Sequence, residues 1–170
     1  MVEDLAKKIM NENIKVHSKE AAVYDIIHSE IFNKYEQKKT IKNIEFIAGY
    51  ISAKDPSALD IGCGTGNLSL KFLKYGFSVT GVDISKEMLD ILHDRTKNSS
   101  LKLVESDVNS FIYKCKEKYN VITFSSVLHH LPDYLETVKN TTKLLKDNGG
   151  FRKTNQSKCL YTINIIIFDV

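Results

Sequence analysis

The stretch LDIGCGTGN, residues 59–67, places three alternating glycines between a short apolar run and the segment NLSLKFLKY, which has helical character. Glycines at such a junction let the backbone turn sharply. They also present N–H groups at a helix start, where an anionic end of a ligand is held. The junction is the first turn of a strand–helix–strand unit, and it commits the chain to a crossover fold.

The rest of the sequence repeats this unit. Residues 57–61 read as a first strand and 67–75 as a helix that Gly76 ends. FSVTGVD (77–83) is a second strand, followed by SKEMLDILHDRTK with Ser85 as N-cap and Met88, Leu89, Ile91 and Leu92 on one side. LKLVESD (101–107) is a third strand, and 109–117 a short helix. YNVITFSS (119–126) is a fourth strand whose continuous apolar centre predicts burial on both faces. After Pro132, Asp133 and Glu136 form a capping-box pair for a helical run that ends at Gly149. Four strand–helix alternations predict an α/β fold with a doubly wound, mostly parallel sheet. Ahead of it, residues 18–52 read as helical, with Val23, Ile26, Ile27 and Ile31, then Ile44, Ile47 and Ile51, at helical spacing. We therefore expect one domain: a helical cap over 1–52, a core over 53–150, and an atypical tail over 151–170.

Charge and composition exclude several partners. A net charge of +3 from 24 basic and 21 acidic residues gives no pull toward nucleic acid. The three cysteines, Cys63, Cys115 and Cys159, are widely spaced and show no metal-ligand pattern, so a reducing, cytoplasmic setting without metal is expected. The N-terminal MVEDLAKKIMNEN is polar and mixed in charge, unlike a signal peptide or anchor. No apolar run approaches the roughly 20 residues of a membrane span.

The residues around the glycines narrow the ligand. A dinucleotide fingerprint requires Gly or Ala at position 67, where Asn67 stands, and the P-loop Lys–Ser/Thr pair is missing. Asp60 would repel a pyrophosphate and suits a cation. S-adenosylmethionine has no phosphate, and carries a sulfonium and an ammonium that Asp60 would meet directly or through water. Its carboxylate end fits the N–H groups of the glycine loop. Asp83, at the end of the second strand, is placed to accept from both ribose hydroxyls. Asp107, at the end of the third, is placed to hold the adenine amino group, with the Val108 N–H donating to a ring nitrogen. Ser125 ends the fourth strand beside the same crevice. His129 and His130 are read as pocket lining, because in-line methyl transfer from an activated sulfur draws mainly on proximity and alignment. For a hydroxyl acceptor, either histidine would be within its chemistry as a base. No catalytic residue is assigned.

ALDIGCGTGNLSL, VTGVDIS, ESDV and NVITFSSVLHHLPD together resemble successive motifs of the class I S-adenosylmethionine-dependent methyltransferases. The resemblance is closest to the small-molecule group that includes the ubiquinone/menaquinone-biosynthesis type, and it covers about residues 20–150. It implies a Rossmann-like methyltransferase fold in which Asp60, Gly62, Gly64, Asp83, Asp107 and Ser125 line the cofactor pocket. Cys63, Gly66, Ile84 and Val108 of the same loops complete the candidate set. AAVYD resembles the helix ahead of that fold, where Tyr24 would cover the methionine end. The fourth strand lacks the Asn/Asp-Pro-Pro-Tyr/Phe sequence of DNA-amine methyltransferases, so the resemblance implies methyl transfer to a small metabolite. A remnant that binds the cofactor without turnover is the alternative, and an NAD-dependent oxidoreductase is opposed by Asn67 and Asp60.

The tail breaks the rhythm. FRKTNQSK (151–158) is polar where a fifth strand is expected, before CLYTINIIIFDV supplies strand-forming residues. The family fold has seven strands and this chain reaches five at best. We expect a truncated or frameshifted end, with an insertion before a fifth strand as the alternative; in a stable form the Ile-rich segment pairs with a second chain or is covered by the N-terminal helices.

Overall fold

The computed structural model describes residues 15, 18–125, 127–131, 133–146 and 165–168. Five strands form one sheet: β1 (Ser57–Ile61), β2 (Ser78–Asp83), β3 (Leu101–Glu105), β4 (Val121–Ser125) and β5 (Ile165–Phe168). Their order is β3-β2-β1-β4-β5 and every pairing is parallel, so all C-terminal ends lie along one edge. The chain reverses direction across the sheet between β1 and β4, the switch point at which open α/β sheets hold ligands. The turn and helix boundaries agree with the sequence reading to within a few residues. The polar segment 151–158 lies outside the described residues. The helical run expected to reach Gly149 stops at Thr141, followed by a 3-10 turn over Thr142–Leu144 and a bridge from Leu145 to Tyr119. Of the Ile-rich tail, expected to pair with a second chain or lie under the N-terminal helices, Ile165–Phe168 pairs with β4 of its own chain.

Strand periodicity assigns each face its helices. Leu59 and Ile61 of β1, with Ile122 and Phe124 of β4, pack on α6 (Val108–Lys114) through Phe111 and Ile112. Ala58 and Val121 face the other way, onto Phe72 of α4 (Ser69–Lys74) and Ile44 of α3 (Lys34–Tyr50). β4 is buried on both faces, as its apolar run predicted. Helix α5 (Lys86–Arg95) covers β2 and β3, with Leu89 and Leu92 meeting Cys63 of the glycine turn. Its N-cap is Ser85, which accepts from the Met88 N–H at 3.3 Å. Asp133 caps α7 (Tyr134–Thr141) by accepting from the Glu136 N–H at 3.2 Å.

The N-terminal region is helical but broken. A 3-10 turn over Ala21–Val23 leads into α1 (Tyr24–Ile27), α2 (Ser29–Phe32) and then α3. The break before α3 is made by Asn33, whose side chain accepts from the N–H groups of Tyr35 and Glu36. Of the apolar residues at helical spacing there, Ile26 is 76% exposed, and Val23 and Ile27 are exposed as well. These turns are held instead by polar contacts to the glycine turn. Among the described residues no helix is long and apolar enough to cross a membrane, and no cluster of His, Cys, Asp and Glu could hold a metal ion.

Candidate functional site

The glycine turn leaves β1 and crosses toward β2. The N–H groups of Gly62 and Cys63 both donate to the Val82 carbonyl, at 2.8 and 3.1 Å. Gly62, Gly64 and Gly66 all have positive φ, at 71°, 49° and 98°. The Asp83 carboxylate braces the turn from the end of β2: Oδ2 accepts from the Gly64 N–H at 2.8 Å and Oδ1 from the Ser85 N–H at 2.9 Å. Asp83 therefore joins the first two strand ends and remains half-buried beside Ile84, at the lip of the crevice.

Asp60 sits elsewhere than a ligand-facing role requires. By strand alternation it points to the side of α4, and it is fully buried. Ser69 Oγ donates to its Oδ2 at 2.6 Å, and Thr123 Oγ1 donates to its Oδ1 at 3.0 Å. Burial raises its carboxyl from 3.8 to about 6, against the two hydroxyl bonds. Both oxygens are engaged with protein, so Asp60 fastens the glycine turn to α4 and β4. Cys63 is also a packing residue in this geometry. It is 5% exposed, its Sγ lies within reach of Gly81, and burial followed by the charges of Asp60 and Asp83 pushes its thiol upward.

Asp107 ends the loop after β3 and caps α6, its Oδ1 accepting from the Ser110 N–H at 2.9 Å. Val108 opens that helix, so its N–H belongs to the first turn, where intrahelical acceptors are missing. Ser125 closes β4 at the same edge; its side chain, like that of His129, lies outside the described residues. Tyr24 is half-buried on α1. Its ring lies against His28 and Phe32, and desolvation and then the Asp83 charge raise its phenol. The structure thus gathers Tyr24, the glycine turn, Asp83, Ile84, Asp107 and Val108 along one sheet edge, and turns Asp60 and Cys63 inward.

Four polar residues that sequence reasoning passed over, Asp25, Thr65, Arg95 and Gln37, hold the helical cap on this edge. Asp25 Oδ1 accepts from Thr65 Oγ1 at 2.6 Å, and its Oδ2 pairs with Arg95 Nη2 at 2.7 Å. Arg95 Nη1 also donates to the Thr65 carbonyl at 3.0 Å. Asn67, the residue that broke the dinucleotide fingerprint, accepts at Oδ1 from both Gln37 of α3 and Lys71 of α4. Burial lowers the Lys71 ammonium to about 8, against the charges of Asp60 and Asp25. Apart from Lys71 with Asn67, four residues apart, these pairs have no sequence signal, because their separations run from 30 to 70 residues. Thr123 had one: a lone hydroxyl in an apolar strand, in register with Asp60. The Asp25 and Arg95 side chains are 30% and 36% exposed, so water screens the pair. Asp25→Ala is expected to cost about 1 kcal/mol overall and to speed amide exchange selectively over residues 20–32. Equal exchange in both proteins would show that the cap is held by other contacts.

Comparison with known proteins points one way. The sequence profile of the family described as "Methyltransferase domain" matches residues 32–152. Ubiquinone biosynthesis O-methyltransferase of Coxiella burnetii is 29% identical over 126 residues, covering 72% of this chain and 54% of that protein. The protein of that description from Pelagibacter ubique is 32% identical over 116 residues, covering 68% and 48%. The chain thus spans about half the length of the curated relatives it matches. Among solved structures, the N-methyltransferase NodS from Bradyrhizobium japonicum in complex with S-adenosyl-L-homocysteine superposes with TM-score 0.64 at 21% identity, covering 78% of this chain and 67% of that one. CalS10, a SAM-bound amino pentose methyltransferase from Micromonospora echinaspora, gives 0.61 at 19% identity, covering 75% and 53%. At these identities the structural likeness concerns the fold.

Proposed function

The chain belongs to the methyltransferase-domain family, and from that premise we propose that it binds S-adenosylmethionine and transfers its methyl group to a small-molecule acceptor by in-line displacement. One observation carries the reading: Asp83 closes the second strand against the glycine turn, with Asp107 at the next strand end. An acid at that strand end suits ribose hydroxyls, since a carboxylate oxygen that already accepts one N–H retains a lone pair for a hydroxyl. The methionine end lies against the glycine turn, most of whose N–H groups are already taken up by Val82, Asp83 and the Cys63 carbonyl, and Asp107 with the Val108 N–H faces the adenine. When bound, S-adenosylmethionine supplies the methyl group on a positively charged sulfur, which is already a good leaving group. The protein's part is alignment, exclusion of water by the helical cap, and the charge pattern at the strand ends.

In this reading Asp60 acts through the backbone it holds, and the methionine end meets the turn itself. Cys63 and Cys115 are free thiols, which suits a reducing, cytoplasmic compartment. Calorimetric titration with S-adenosylhomocysteine is the first test, with methyl transfer to a panel of small acceptors the second. Asp83→Ala is expected to weaken binding by about 1–3 kcal/mol, the range for hydrogen bonds to a charged group. Unchanged affinity would remove Asp83 from the site, and displacement of the bound nucleoside by NADH would overturn the reading.

A further inference from the structure

Every strand pairing is parallel, so the sheet has two unlike edges. The C-terminal edge carries Asp83 and Asp107, with Asp25 of the helical cap tied to the glycine turn. The N-terminal edge, where β3 and β4 begin, carries lysines. Lys102 is the second residue of β3, Lys114 ends α6, and Lys116 and Lys118 fall in the turn that leads into β4. Lys143 and Lys146 arrive from beyond α7 and are stitched to that turn. The Tyr119 N–H donates to the Leu144 carbonyl at 2.8 Å, and the Lys146 N–H to the Tyr119 carbonyl at 2.9 Å. Lys118 Nζ donates to the Lys143 carbonyl, and Lys146 Nζ to Asn120 Oδ1 at 2.9 Å. Lys102 Nζ pairs with Glu117 Oε1 at 2.6 Å, which joins the start of β3 to the same turn.

Acids do not balance this group. Glu117 is taken by Lys102, and Asp55 stands on the same edge before β1. Among the described residues none of the other five lysines is paired with an acid. The net charge of +3 conceals the division, because acids at the crevice edge offset lysines at the opposite one. Like charges gathered in this way repel one another, and an anionic surface laid over them relieves the repulsion. Two features select the kind of surface. The group holds lysines and no arginine, and point charges on flexible stems suit a diffuse field of headgroups better than base edges, which arginine forks read. Tyr113, next to Lys114 on the last turn of α6, is 85% exposed. A phenol ring of that kind suits the boundary between hydrocarbon and water.

We propose that this edge docks the protein on an anionic lipid bilayer, with the lysines among the headgroups and Tyr113 at the interface. The crevice lies at the other end of the strands and stays open to solution while the protein is docked. The inference is independent of the methyl-transfer reading.

The test is sedimentation of the full chain with vesicles of phosphatidylcholine alone or with phosphatidylglycerol added. The chain should bind the second kind and leave the first, and added salt should release it. Lys116→Gln combined with Lys143→Gln should weaken binding by about 25-fold, or about fivefold for each lysine. Both are exposed side chains. Lys34→Gln with Lys38→Gln removes equal charge from exposed positions on α3 and should bind as the parent does. Urea midpoints of both double variants should match the parent, which separates docking from folding. The chain has no tryptophan, so Tyr113→Trp supplies a single reporter whose emission should move to the blue on anionic vesicles. The proposal is overturned by equal binding to phosphatidylcholine alone, by a cluster variant that binds like the parent, by an equal loss in the α3 control, or by an unshifted emission. Binding of polyuridylate through the same lysines, with no binding to vesicles, would assign the edge to nucleic acid and overturn it too.

Discussion

Gly66→Ala is expected to cost about 2–6 kcal/mol of stability and to abolish nucleoside binding. Two penalties combine. Gly66 sits at φ 98°, a backbone region that costs a side-chain-bearing residue about 1–3 kcal/mol. The added Cβ would also collide with Leu92 Cδ1 and press on the Leu70 side chain at 3.3 Å. Leu92 has no surface exposure, and it packs with Leu89 and Cys63 beneath Leu101 and Leu103, so it has nowhere to swing. Overpacking of a filled core adds about 1–3 kcal/mol. Against the roughly 5–15 kcal/mol that holds a domain folded, the variant should show a lowered urea midpoint and no heat on titration with S-adenosylhomocysteine. Gly64→Ala is the control. An alanine Cβ there would meet nothing within 4 Å, and φ is only 49°, so the cost should stay near 1–2 kcal/mol. Equal losses in the two variants would mean that Leu92 does yield.

The second large effect is a pH dependence set by Asp60. Its folded value of about 6 exceeds the ordinary 3.8 because burial disfavours the ionised form. Folding therefore favours the protonated acid. The resulting contribution to stability is complete below pH 3.8, is lost as pH rises through about 6, and is constant above that. The span between those two values corresponds to roughly 3 kcal/mol. Asp60→Asn removes the titration while keeping a group that Ser69 and Thr123 can bond. The stability of the variant relative to its parent should therefore climb by up to about 3 kcal/mol between pH 4 and pH 7, read from urea unfolding at each pH. Parallel profiles would show that the carboxylate is better solvated than its burial implies.

The Asp60 result bears on how much of the site was legible beforehand. The acid beside the glycines correctly pointed away from a pyrophosphate ligand, yet the mechanism is indirect. Its neighbours in sequence are a strand, and in a strand every second side chain faces away from the first. Position 60 shares a face with Ala58, so it meets Ser69 and Thr123 under α4. Asp83 is the last residue of β2 and Asp107 lies in the turn after β3, so both stand at the C-terminal edge of the sheet. Asp107 does so while also capping α6, a dual position that its place before a helix already suggested. In the N-terminal region the apolar stripe Val23–Ile27 pointed to a packed helix and is exposed. Polar residues with distant partners, Asp25 with Thr65 and Arg95 and Gln37 with Asn67, hold the cap instead.

What the sequence alone determined was the parallel α/β order, the position of the glycine turn and the acids at the strand ends. Local chemistry specifies these: glycine tolerance of positive φ, apolar period and capping residues act over spans of a few residues. Only the tertiary structure decided that Asp60 turns inward onto Ser69 and Thr123, what fastens the helical cap, and that His28 keeps one buried nitrogen without a partner. Each of those depends on side chains brought together from distant parts of the chain, and on which water is excluded when they meet. No short-range pattern encodes that exclusion.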